Sequence, residues 1–156
     1  MPFGRFFARI GNMVEKQFEV CIRAIIQHQN KILVCWHKKK DYCFFPGGHL
    51  KFGESIPHSL SREVKEELGI IVKKYKFIGI IDNVFIENRQ KHHEIDLVFD
   101  VKVNRISQKS KEKHLNFILF DKNRFSKEKI LPIALQKNIL NWLKNGNFFW
   151  ASQICN

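Results

Sequence analysis

Three glutamates on one predicted helix carry the strongest chemical signal in this sequence. Residues 55–68 form an amphipathic pattern, and on a helix Glu63, Glu66 and Glu67 fall within an arc of about 100°. The arc borders the apolar stripe, so these carboxylates lie at the rim of the core. Like charges crowded at such a rim repel each other unless a cation sits among them. Because hard oxygen donors suit Mg²⁺, which commonly bridges substrate phosphates, the pattern indicates a divalent cation site.

A salt-bridged surface helix is the competing explanation for the same residues. Arg62 and Glu66 form an i, i+4 pair, and Lys65 lies beside the acids. The helix alone leaves both explanations open.

The spacing of residues around the helix decides between them. Gly48 to Ile70 reads GHLKFGESIPHSLSREVKEELGI. At every fixed position this stretch resembles the signature of the Nudix hydrolase family, G-x5-E-x7-R-E-U-x-E-E-x-G-U, where U is a bulky aliphatic residue. At typical residue usage, a chance match in such a chain is on the order of 10⁻⁸. The resemblance extends over roughly residues 18–145, although only the signature is specific.

The resemblance implies a fold and an activity. The expected fold is an α/β/α sandwich with a mixed β-sheet. The expected activity is hydrolysis of a nucleoside diphosphate linked to another group, with Mg²⁺ or Mn²⁺ as cofactor. Divalent ions neutralise the phosphates and lower the pKa of bound water, and a carboxylate then accepts the proton.

Roles for the helix residues follow from the same resemblance. It implies that Glu63, Glu66 and Glu67 are catalytic and bind the metal, and that one of them acts as general base; which one stays open. Arg62 is expected to orient these acids, and Glu54 to support the site as an outer acid.

Residues outside the helix have less specific expectations. Gly47 and Gly48 resemble the turn that lets the main chain approach metal, at Gly47, and substrate, at Gly48. Arg23 and His49 are expected to contact phosphate; the alternative for Arg23 is an Arg at a sheet edge with its stem packed. Glu112 resembles a loop acid that joins the site, and a solvated loop charge is its alternative.

Composition favours an anionic partner without choosing one. The chain has 27 Lys and Arg against 15 Asp and Glu, a net charge of +12. A small nucleotide is the expected partner. Two alternatives stay open: an RNA 5′-pyrophosphohydrolase, and a catalytically silent Nudix module that binds nucleotides.

The cysteines indicate a reducing, cytoplasmic environment. None of the four forms a C-x-x-C pair. A zinc cluster of Cys35, His37, Cys43 and His49 fits no usual spacing and is not expected. No apolar run reaches the length of a membrane span.

The elements that must position these residues follow from periodicity and turn signals. The sequence predicts strands at 18–27, 31–36, 70–86, 94–103 and 115–120, a helix at 55–68, and a last helix from Pro132 to Gly146. Alternating strands and helices of this kind predict an α/β fold with a mixed sheet.

Three regions are expected along the chain. A basic, aromatic arm spans residues 1–17, the Nudix hydrolase domain spans 18–146, and an aromatic tail spans 147–156. The tail packs either on the domain or on a partner in a homodimer. Loops 37–43, 87–92 and 104–114 are expected to set substrate specificity, which leaves ADP-ribose, nucleotide sugars, dinucleoside polyphosphates and nucleoside triphosphates open.

Overall fold

A computed structural model describes residues 18–111 and 113–154. The predicted arm 1–17, Glu112 and Cys155 lie outside the described residues. Within them the elements follow in this order: β1 (Glu19–His28), β2 (Lys31–His37), β3 (Cys43–Phe44), β4 (Gly47–His49), α1 (Ile56–Leu68), β5 (Val72–Glu87), β6 (Gln90–Val103), β7 (Leu115–Asp121), α2 (Lys122–Lys127), β8 (Ile130–Leu131), α3 (Ile133–Asn145) and β9 (Phe149–Ile154).

The strands form one mixed sheet that divides at the end of β1. The main path runs β8-β3-β2-β1-β6-β5-β9, while β4 pairs with β1 and β7 pairs with β2. β1 runs parallel to β6, and β5 runs parallel to β9. β1 and β2 pair only beside their connecting turn, at Gln27↔Ile32 and His28↔Lys31. The predicted mixed sheet is confirmed.

Helices cover both faces of the sheet, which gives the molecule two apolar cores. One core lies under α1, where Leu60, Val64 and Leu68 pack against β1 and β6 residues such as Ile22 and Phe99. The other core lies under α2 and α3, where Phe125, Leu135 and Ile139 pack against Ile25, Ile81 and Val98. Burial of apolar area on both faces is the main stabilising contribution.

Part of the predicted aromatic tail is the strand β9. It pairs with β5 in register from Gly79↔Phe149 to Val84↔Ile154. A Cβ at Gly79 would lie 2.3 Å from the Phe149 ring, so glycine makes room for that ring. The homodimer stays a prediction.

Helix α2 and the two-residue strand β8 were not predicted, because neither is long enough to show a clear period.

The predicted strand 94–103 lies within β6, and its first acids are more buried than the apolar residues that follow them. Glu94 and Asp96 are buried, whereas Ile95 and Leu97 are only partly buried. These positions are buried because helices cover both faces of the sheet. The guanidinium of Arg23, on β1, forms ion pairs with Glu94 and Asp96 there. Within the described residues, no helix is both long enough and apolar enough to cross a membrane.

Candidate active site

Helix α1 is fixed at both ends by local sequence. The Ser55 side chain accepts a hydrogen bond from the His58 N–H at 3.4 Å, and a proline occupies the first turn. Gly69 ends the helix in the left-handed conformation, at φ 66°, and its N–H donates to the Lys65 carbonyl. With its apolar stripe buried on the sheet, the helix holds its acids beside β4.

Two glycines bring β4 close to β1 and to the helix. Gly47 has φ +139°, and a Cβ there would lie 1.9 Å from the Ile22 carbonyl oxygen. A Cβ at Gly48 would lie 2.6 Å from the carboxylate of Glu63. The backbone of β1 therefore requires glycine at position 47, whereas a Cβ at position 48 would displace the Glu63 side chain. Their contacts with metal and substrate stay predictions.

We call Glu63, Glu66 and Glu67 the acidic ridge. Glu67 is 6% exposed, and its Oε2 accepts a hydrogen bond from the Gly47 N–H at 3.0 Å. The Glu63 side chain is 13% exposed and that of Glu66 is 53% exposed. The ridge therefore runs from β4 outward to solvent. Glu67, held by the Gly47 N–H, is its inner end, and Glu66 is its outer end.

Arg62 joins the ridge to Glu54. Its Nη1 donates to Glu63 at 2.6 Å and to Glu66 at 3.1 Å. Its Nε and Nη2 donate to the two carboxylate oxygens of Glu54 at 2.7 and 2.9 Å, and Nη2 also donates to the His49 carbonyl at 3.1 Å. Arg62 therefore contacts three carboxylates at once; its orienting role and the outer-acid role of Glu54 stay predictions.

The charges in this cluster favour a cation. The Arg62 guanidinium lowers the pKa of Glu54 to about 2, and Glu54 in turn raises the pKa of Arg62. Three carboxylates, those of Glu54, Glu63 and Glu66, contact the one guanidinium, so the cluster keeps an excess of negative charge. Its donors are all oxygen atoms, the donors that Mg²⁺ prefers. The residues present therefore fit a divalent ion held by the acidic ridge.

Arg23 lies on β1 in a buried ion pair. Its Nε donates to Asp96 at 2.6 Å and its Nη2 donates to Glu94 at 3.0 Å. Burial lowers the pKa of Arg23, but the Asp96 and Glu94 carboxylates outweigh it and raise that pKa. The second carboxylate oxygen of Asp96 has no hydrogen-bond partner among the described residues. The predicted phosphate contact of Arg23 stays a prediction.

A cavity of about 640 Å³ opens beside Arg23, on the face covered by α3. Aromatic and apolar side chains form much of its wall, and Glu94 and two amides also reach it. The lining includes Tyr42, Phe44, Phe85, Asn83, Pro132 and Gln153. Gln153 donates to Asn83 at 3.3 Å. Neither amide was singled out by the sequence analysis. Gln153 belongs to the unpredicted strand β9, and Asn83 lies inside a predicted strand with no signal of its own.

His49, the predicted specificity loops and Glu112 are the remaining residues that the sequence analysis singled out. The His49 side chain is exposed, and its Nε2 lies 2.8 Å from Glu19. The loop predicted at 87–92 is wrong in extent: β5 ends at Glu87 and β6 begins at Gln90, so only Asn88 and Arg89 form the turn. Asn88 of this turn, with His37 and Lys40 of segment 37–43, contributes to the cavity wall. Glu112 cannot be placed because it lies outside the described residues.

Comparisons with known proteins agree with this geometry. The family model of the NUDIX domain matches residues 16–143. An ADP-ribose pyrophosphatase of Methanocaldococcus jannaschii is 31% identical over 130 residues, which is 81% of this chain and 75% of that protein. An 8-oxo-dGTP diphosphatase of Buchnera aphidicola is 45% identical over 53 residues, 34% of this chain and 43% of that protein.

A solved structure supports the fold independently. The MutT protein of Bacillus halodurans superimposes with a TM-score of 0.72 at 18% identity, over 86% of this chain and 88% of that one. The chain belongs to the Nudix hydrolase family. The fold and the class of enzyme that the sequence predicted are confirmed.

Proposed function

We propose that this protein is a Mg²⁺-dependent pyrophosphohydrolase that cleaves the P–O–P link of a nucleoside diphosphate joined to another group. The observation that carries the proposal is the position of the acidic ridge beside Gly47 and Gly48 of β4. The N–H of Gly47 fixes Glu67 at the inner end of the ridge, at 3.0 Å. Arg62 holds Glu63 at 2.6 Å and Glu66 at 3.1 Å.

Each of these contacts has a task in the reaction. A divalent ion bound at the ridge supplies charge neutralisation and a more acidic water. Arg62 and the Gly47 N–H keep the carboxylates oriented, so that little reorganisation is needed during reaction. One ridge carboxylate accepts the proton of the attacking water. The attack breaks a phosphorus–oxygen bond of the anhydride, and the leaving phosphate departs with its oxygen.

The cavity beside Arg23 suits the nucleoside part of the substrate. Phe44 and Phe85 offer faces on which a base can pack, while Asn83 and Gln153 offer amide groups. The names of the two relatives, an ADP-ribose pyrophosphatase and an 8-oxo-dGTP diphosphatase, both refer to purine nucleotides. A purine nucleoside diphosphate derivative is therefore the substrate class we favour.

A reducing environment fits the described thiols. Cys21, Cys35 and Cys43 are buried thiols that form no disulfide with one another. Disulfides are rare in the cytoplasm, where thiols stay reduced. We infer a cytoplasmic enzyme.

A substrate panel tests the proposal. The full chain is incubated with ADP-ribose, nucleotide sugars, nucleoside triphosphates and 5′-triphosphate RNA, with Mg²⁺, Mn²⁺ or a chelator. We expect nucleoside monophosphate from at least one small nucleotide, and no product with the chelator. Glu67→Gln should lower kcat at least about 100-fold, since it removes a ridge charge.

Glu128→Gln is the matched control, because Glu128 is an exposed acid beyond α2 that pairs with Arg124. It should keep parental turnover. Faster turnover of RNA than of every free nucleotide would favour the RNA alternative. If nothing on the panel is hydrolysed, or if Glu67→Gln keeps the parental kcat, the proposal is wrong.

A further inference from the structure

Three side chains of kinds that bind metals meet where β4 and β6 flank β1, and one of them, Glu94, also lines the cavity. The ligand atoms of Cys21, His49 and Glu94 all lie within 4.8 Å of one another. We call these three residues the thiol corner. Cys21 is paired with His49 across β1 and β4, and with Asp96 across β1 and β6. Glu94 stands two residues before Asp96 on the same strand, so the sheet itself brings the three side chains together.

The thiol corner is distinct from the acidic ridge. Gly48 faces the ridge, since a Cβ at this position would lie 2.6 Å from the Glu63 carboxylate. Successive residues of a strand point to opposite faces, so the side chain of His49 points away from the ridge. Cys21 and Glu94 are buried, whereas the His49 side chain is 63% exposed. An ion could therefore enter from solvent past His49 and meet two ligands that the protein already holds in place.

Neighbouring residues hold the ligands of the thiol corner. Oε2 of Glu19 lies 2.8 Å from Nε2 of His49, and Oε1 of Glu19 lies 2.9 Å from Nδ1 of His92. A histidine that binds a metal usually gives its other ring nitrogen to a carboxylate, as Glu19 would provide here. On the other side, Arg23 donates to Glu94 at 3.0 Å.

We propose that Cys21, His49 and Glu94 form a second cation site that takes a borderline-soft divalent ion such as Zn²⁺. A thiolate and an imidazole select Zn²⁺ over Mg²⁺, which prefers oxygen donors. Three protein ligands leave a fourth position open for water or a substrate group. The proposal does not depend on the hydrolytic activity of the ridge.

Binding exchanges a proton for the ion. Burial raises the pKa of the Cys21 thiol to about 12, so without a cation this sulfur keeps its proton. On binding, the sulfur–hydrogen bond is replaced by a sulfur–metal bond, and the proton passes to solvent. No oxidant or reductant is involved.

The zinc cluster considered from the sequence differs from this site. That cluster joined Cys35 and Cys43 to His37 and His49. Cys35 lies in the core under α1, whereas Cys43 lies in the core under α3. The sheet therefore separates the two thiols, and His49 is the one residue shared by that cluster and the thiol corner.

Co²⁺ is the probe for this site, because a thiolate bound to Co²⁺ gives a near-ultraviolet charge-transfer absorption. Metal-free full-length protein is titrated with Co²⁺, then with Zn²⁺, and separately with excess Mg²⁺. We expect the thiolate absorption with Co²⁺, its loss on addition of Zn²⁺, and its persistence in excess Mg²⁺. Absence of a thiolate absorption in the parent protein would overturn the proposal.

Variants assign the absorption to the thiol corner. Cys21→Ser should abolish it and weaken Zn²⁺ affinity at least about tenfold. Cys43→Ser, a buried free thiol outside the group, is the matched control and should keep it. His49→Asn changes an exposed side chain, so it should fold normally and still weaken binding.

Glu67→Gln separates the two cation sites. It should leave the thiolate absorption unchanged, because Glu67 belongs to the ridge. Persistence of the absorption in Cys21→Ser, or its loss in Glu67→Gln, would contradict a separate thiolate site. Since these readouts are spectroscopic, they hold whether or not a substrate is hydrolysed.

Discussion

The backbone N–H of Gly47 donates a hydrogen bond to the carboxylate of Glu67 at 3.0 Å, although the two residues stand 20 positions apart. Gly47 is also paired with Arg23 of β1, so this bond ties the helix to the sheet. The inner acid of the ridge is therefore held by main-chain geometry. Substitution of Gly47 or of its neighbour Gly48 by alanine tests how that geometry is maintained.

Gly47→Ala and Gly48→Ala should have different effects. A Cβ at Gly47 meets backbone, at 1.9 Å from the Ile22 carbonyl, in a conformation that only glycine adopts easily. We expect a loss of about 1–3 kcal/mol or more in unfolding free energy, measured with urea. A Cβ at Gly48 meets the end of the flexible Glu63 side chain, at 2.6 Å. We expect that variant to fold and to lose turnover roughly tenfold or more, because Glu63 must move.

Gly53→Ala is the control for this pair. Its φ of +78° gives a similar conformational cost, but nothing lies within 4 Å of the added Cβ. It should lose some stability and keep its turnover. Equal loss of turnover in all three variants would mean that the close approaches do not position the ridge.

Arg23→Ala should destabilise the fold strongly. The substitution leaves the buried carboxylates of Asp96 and Glu94 without their cation, which typically costs about 3–5 kcal/mol. Asp41→Ala removes an exposed pair with Lys129 and should change the unfolding free energy little. Urea unfolding measures both. Unchanged stability with a raised KM would instead identify Arg23 chiefly as the predicted phosphate contact.

Acid should remove the stabilisation that Arg62 gives to Glu54. The pKa of Glu54 falls from 4.5 to about 2 on folding, so this stabilisation is present above pH 4.5 and is lost as the pH falls toward 2. Glu54→Gln should melt below the parent at neutral pH, and the difference should shrink across that window. Thermal melts of both proteins measure it. A difference that stays constant from neutral pH to pH 2 would contradict this assignment.

Removal of β9 should destabilise the sheet and promote self-association. Truncation after Asn147 exposes the edge of β5 and removes Phe149 from the core under α3. It also removes Gln153, which accepts from the Ala134 N–H at 2.8 Å. Exposed strand edges favour pairing between molecules, so light scattering on heating should rise. Deletion of residues 155–156 alone is the control, and equal behaviour of the two truncations would contradict the role of β9.

Local signals explain how much of the site could be predicted. Ser55, the four-residue apolar repeat and Gly69 define α1 within one stretch of chain, and a helix necessarily gathers Glu63, Glu66 and Glu67 on one side. Strands β1, β2, β5, β6 and β7 were also predicted, since their β-branched and aromatic runs are long. Most of their pairings were not, because many residues of opposite strands would pair equally well from composition alone.

The sequence by itself determined the family, the helix that carries Glu63, Glu66 and Glu67, and the positions of the long strands along the chain, because those depend on residues close together in sequence. Only the tertiary structure decided that Arg23 meets Asp96, that β9 extends the sheet, and that Cys21, His49 and Glu94 converge. Each of these contacts joins residues far apart in sequence. Such contacts form because the packing of two apolar faces selects one strand register. A short pattern of residues cannot predict which register is selected.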